Sequence, residues 1–120
     1  MTLTYATPEG TNLVTVAFDG DLDTGSVHAL RDHVESVIDT QGSARLLIEY
    51  GNAGSTPPRA VLEDLKNASF VKKIDKGAIV TDSKLVNGLA GSIMLKTMVP
   101  FPVKTFTAEQ HGKALEWVTA

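Results

Sequence analysis

The chain has 120 residues, 42% of them apolar and 21% charged, a size and balance that fit one domain with a real core. It has no cysteine, which excludes a disulfide framework, a thiolate metal site and a cysteine nucleophile. A net charge of −3 argues against nucleic acid as a partner.

Residues 3–7 alternate as a short strand, and Pro8-Glu9-Gly10 turns the chain. Residues 13–18, LVTVAF, form a stronger strand rich in β-branched side chains, and the two are expected to pair as an antiparallel hairpin. A first helix is expected over 24–40, with Asp23 as N-cap and Gly42 ending it. Its apolar stripe is Val27, Leu30, Val34, Val37 and Ile38, at spacings that put them on one face. LLIEY within 45–50 is nearly continuous in apolar residues, as strands inside a parallel sheet are.

A glycine-rich loop, GNAGSTPP, leads to a second helix over 57–70, carrying Val61, Leu62, Leu65 and Phe70. A short buried strand is expected at 78–81, and a third helix over 83–99 until Pro100 stops it. A fifth strand covers 103–106. Thr107-Ala108-Glu109-Gln110 then has the form of a capping box opening a final helix. The order β-β-α-β-α-β-α-β-α predicts a single α/β domain over residues 1–120. It would hold a five-stranded, mostly parallel sheet, one antiparallel edge strand and about four helices.

The segments FDGDLD, ARLLIEYGN, VLEDLKN, KKIDKGAIVTD, VKTF and ALEW stand in the order found in SpoIIAA-like proteins, small bacterial relatives of the STAS domain. Nearly the whole chain, from about Phe18 to Val118, resembles that family. The resemblance implies an anti-sigma antagonist type of fold, more distantly similar to CRAL-TRIO lipid-binding domains. It further implies a non-enzymatic domain that binds a hydrophobic ligand or associates with membranes through mobile helices. Many relatives carry aromatic residues in the second helix and early in the third, where this chain holds Val61-Leu62 and Leu85-Val86.

No catalytic constellation is legible. His28 and His33 are five residues apart and so do not share a helix face, and no nucleophile elbow, phosphate loop or dinucleotide fingerprint is present. Asp19-Gly20-Asp21-Leu22-Asp23 opens like a calcium loop, but Leu30 stands where a bidentate glutamate belongs. The expectation is therefore no enzyme, no metal and no cofactor. Ser55 and Thr56 occupy a strand-to-helix junction similar to the phosphorylated one of anti-sigma antagonists. There a phosphate would meet a helix N-terminus, although Pro57 and Pro58 remove two of its donors.

The most unusual stretch is GLAGSIMLKTMVPFP, residues 88–102. From Leu85 its apolar residues cover one broad helical face, Gly88 and Gly91 each cost about 1 kcal/mol of helix stability relative to Ala, and Met94 and Met98 repack readily around varied shapes. Phe101, between two prolines, is expected in an exposed extended turn.

These features suggest a third helix that moves against the second, uncovering a cleft for an acyl chain or a membrane surface. Leu89, Ile93, Met94, Met98 and Phe101 would form one wall, and Val61, Leu65 and Phe70 the other. The expected partners are a lipid or other hydrophobic ligand, a peripheral membrane contact, or a second copy through the same greasy face. The acidic half up to Arg59 and the mildly basic half after it suit an anionic surface. The absence of cysteine, of a secretory signal and of a bilayer-length apolar run makes the expected location cytoplasmic, peripheral to the inner face of the membrane. The alternative function is a STAS-like regulatory module switched by phosphorylation at Ser55 or Thr56.

Overall fold

A computed structural model describes residues 2–19, 24–50, 69–81 and 99–120. Its strands are β1 (Thr2–Ala6), β2 (Leu13–Asp19), β3 (Ala44–Tyr50), β4 (Ile74–Thr81) and β5 (Val103–Phe106). Helix α1 spans Thr24–Gln41 and the C-terminal helix α2 spans His111–Thr119, with 3-10 turns at Val71–Lys73 and Ala108–Gln110. About four helices were expected, and two α-helices lie among the described residues. The expected second and third helices fall on 51–68 and 82–98, outside them, and at Ser69–Phe70 the chain is already in a turn.

The sheet order is β1-β2-β3-β4-β5. β1 pairs antiparallel with β2, and every other neighbouring pair is parallel, so the one antiparallel edge strand stands where the hairpin pattern predicts it. Parallel neighbours need a crossover between them. α1 supplies the one between β2 and β3, covering the face that carries Val14, Val16, Leu46, Ile48 and Ile79. The opposite face carries Leu13, Leu47, Ala78, Val80 and Phe106, and α2 covers it with Ala114 and Val118. Covering on both faces is why the middle strands read as apolar runs rather than as alternating ones.

α1 buries Leu30, Val34, Val37 and Ile38, the stripe read from the sequence, while Val27 is half-buried. Gly42 ends α1 with a backbone φ of +87°, its N–H donating to the Ile38 carbonyl at 2.7 Å. That left-handed conformation costs a residue with a Cβ roughly 1–2 kcal/mol, which is why glycine stands there. The Arg45 N–H then donates to the Asn12 carbonyl at 2.9 Å, and Asn12 Nδ2 donates to Ser43 Oγ at 3.0 Å, setting the register of β3 against β2.

β4 begins at Ile74, four residues before the expected strand, because buried Ile74 already packs in the core and pairs with Ala44 across a register shift. β1 is held to α1 by His33, whose Nε2 lies 2.8 Å from Thr7 Oγ1 and whose ring centroid lies 4.8 Å from that of Tyr5.

Ile79 is fully buried in the strand between β3 and β5, and Ile79→Ala is expected to lower unfolding free energy by about 2–5 kcal/mol in urea titrations. Gly42→Ala is expected to cost about 1 kcal/mol without changing the denaturant slope.

Candidate functional site

The described part of the candidate site lies at the base of β4 and β5, where the stretches 51–68 and 82–98 return to the sheet. On the first return, Phe70 enters the core and its carbonyl accepts the Lys73 N–H at 2.8 Å, closing the short 3-10 turn before β4. On the second, Val99, Phe101 and Val103 are buried while Pro100, Pro102 and Lys104 are exposed. That period-two alternation is the signature of a strand, and it starts ahead of β5. The Pro102 carbonyl accepts the Gly77 N–H at 2.9 Å, so the proline-flanked segment already lies along β4.

Phe101 corrects one expectation. It does not sit in an exposed turn but is only 4% accessible. Its ring lies over Gly77: a Cβ built there would fall 3.2 Å from Phe101 Cε2 and 3.8 Å from Leu46 Cβ. The glycine thus leaves room for close approach of the ring, which would have to give by a few tenths of an ångström to admit a Cβ. Proline at 100 and 102 obscured this in the sequence, since proline ordinarily argues against a strand. The apolar alternation through positions 99, 101 and 103 was the available signal.

Beside this segment is an open cavity of about 370 Å³. Val71, Ile74, Pro100, Phe101 and Pro102 give it apolar walls, and Lys72 and Asp75 give it charge. The volume is at the small end of the range of about 300–1,000 Å³ usual for ligand pockets. Asp75 Oδ2 is 3.7 Å from Arg45 Nε. Of the predicted site residues, the structure thus brings Phe101 to the cavity and buries Phe70 in the adjoining core. Val61, Leu65, Leu89, Ile93, Met94, Met98, Ser55 and Thr56 lie outside the described residues. Val71, Pro100 and Pro102, in short connections, and Ile74, the first residue of β4, were not singled out from the sequence, because their partners are distant in the chain.

The opposite face serves to hold α2. Arg45 Nη1 donates to the main-chain oxygens of Val118 and Ala120 at 3.1 and 2.9 Å, and Lys76 Nζ donates to that of Trp117 at 2.8 Å. At the other end of the helix, His111 pairs with Glu49. An acid near the N-terminus and two cations at the C-terminus match the helix dipole. Lys76 lies 5.0 Å from the centroid of the Trp117 ring, and that ring tilts against Phe106 at 6.2 Å. Trp117 therefore locks the last helix onto the sheet. Thr107 N–H donates to Gln110 Oε1 at 3.1 Å, closing the expected capping box at the 3-10 turn that precedes α2.

Among the described residues, no group of three or more His, Asp or Glu side chains is placed to hold a metal ion. No helix among them is long and apolar enough to cross a membrane.

The SpoIIAA-like family model matches residues 13–119. The chain belongs to the SpoIIAA-like family. No curated protein and no solved structure was found to match it. Membership groups this SpoIIAA-like domain with STAS-type regulatory and interaction modules, a class that is in general non-enzymatic.

If Phe101 is seated against Gly77 as described, Gly77→Ala will force the ring to shift and cost about 1–3 kcal/mol. The double variant Gly77→Ala, Phe101→Leu should lose less than the sum of its parts in chemical denaturation, since the shared contact is removed once.

Proposed function

We propose that this SpoIIAA-like domain is a non-catalytic binding module whose ligand is a hydrophobic chain, free or presented at a membrane surface. The observation that carries this reading is the open cavity of about 370 Å³ at the ends of both connecting stretches, where five apolar residues stand beside Lys72 and Asp75. One of those stretches, 82–98, holds Leu85, Leu89, Ile93, Met94, Leu95 and Met98. Leu89, Ile93, Met94 and Met98 would supply contact, with Val61 and Leu65 opposite. Phe101 would form the floor, and Phe70 would support it from the core, since both are anchored there. Lys84, Lys96 and Lys104 would meet an anionic head group while their stems lie on apolar surface.

A second reading is favoured by the position of β3, the middle strand of the sheet. Its last residue, Tyr50, is five positions before Ser55 and six before Thr56 in the chain. A phosphate on either residue would bring negative charge to the middle of that sheet edge, where a partner protein could read it.

Native mass spectrometry of gently purified protein is expected to retain an acyl-containing mass, and affinity for a series of fatty acids to rise about fourfold per added CH₂. Ile93→Asp and Met94→Asp should each weaken binding at least about tenfold, and should reduce co-sedimentation with anionic vesicles. Protein that carries no such mass, and stays in the supernatant at every vesicle concentration, would exclude the hydrophobic-ligand reading. A phosphate mass gained with a cognate kinase, and lost in Ser55→Ala, Thr56→Ala, would favour the second.

A further inference from the structure

The two outer edges of the sheet differ in kind. β5 is four residues long, carries Lys104 and is preceded by Pro100 and Pro102. Shortness, lysine and proline are devices that keep an edge strand from pairing with another chain. β1, the other edge, is one residue longer and has neither lysine nor proline. Its five residues, Thr2–Ala6, include no charge and no proline, and its register with β2 is unbroken by any bulge. Among the described residues its strand partner is β2 alone, so no described strand lies along the other side of its backbone ladder. Thr4, Tyr5 and Ala6 are exposed, and Tyr5 is one of two large hydrophobic side chains exposed among the described residues. The clasp of His33 on Thr7 and Tyr5 steadies this end of the hairpin, so the free edge is presented in a fixed position.

We infer that β1 is an interaction edge and that its partner is a second copy of this chain, the two β1 strands pairing antiparallel about a two-fold axis. Self-pairing suits this strand because an isologous contact sets each residue against its own counterpart or a near neighbour. An uncharged strand puts no like charges opposite each other there. Centring the pair on Thr4, the middle residue, gives the greatest overlap. Thr4 then faces Thr4, and Tyr5 stands opposite register position 3 of the other copy. The sheet becomes continuous from β5 to β1 and back from β1 to β5, with the α1 helices on the same side. Five paired residues contribute less than the ~1,200 Å² of a standard interface, so association should be weak and concentration-dependent. This contact is separate from the apolar stretch 82–98 and does not depend on the ligand proposed above.

Sedimentation velocity of the full chain at physiological salt, from roughly 1 to 500 μM, is expected to show a shift from monomer to dimer. Thr4→Lys and Thr4→Asp, each checked for an unchanged circular dichroism spectrum and melting temperature, should remain monomeric over that range. An equimolar mixture of the two should regain the dimer, because opposite charges then face each other. Hydrogen exchange of the unaltered protein gives a second readout: β1 amides should become protected as concentration rises. A chain that stays monomeric throughout overturns the inference. So does a dimer that persists in both variants, or one that forms without added protection in β1.

Discussion

Burial of both faces of the two middle parallel strands, β3 and β4, is the constraint on which the rest of the described structure depends. Leu46 and Ile48 point to one side of β3 and Leu47 to the other, and all three are almost fully buried. Ile79 and Ala78 divide in the same way on β4. A strand with apolar residues on successive positions can be stable only if something covers each face. α1 meets that requirement on one side and α2 on the other. A chain that keeps its strands parallel must also cross over between each neighbouring pair.

α2 shows how polar groups complete an apolar arrangement. Nine residues are few for a helix in water, and Ala114 and Val118 are its fully buried side chains. Its last carbonyls are met by Arg45 and Lys76, which project from the same strands whose apolar residues the helix covers. The cations reach the end of the dipole where they are most favourable, and Lys76 also lies over the Trp117 ring. Two of the protein's basic side chains are thus committed to holding the fold. One of them, Lys76, belongs to the mildly basic second half, which leaves that half with one fewer cation for a partner.

At the base of β4 and β5 the same economy of space governs the candidate site. Gly77 makes room for Phe101, Phe101 walls the cavity, and Pro100 and Pro102 hold the segment extended on either side of it. A ring packed this closely is a rigid wall for the cavity.

The sequence by itself determined the strands, the first and last helices, the antiparallel edge and the family. Those features are written in local periodicity and in short ordered motifs: the stripe from Leu30 to Ile38, the left-handed turn at Gly42, the capping box at Thr107. Only the tertiary structure decided the strand order, the early start of β4 and the burial of Phe101. It alone brought residues 71–75 and 100–102 together around one cavity. The physical reason is that proline and glycine report what the backbone can do locally, whereas Phe101 is buried because Gly77, far away in the chain, leaves a space of its size.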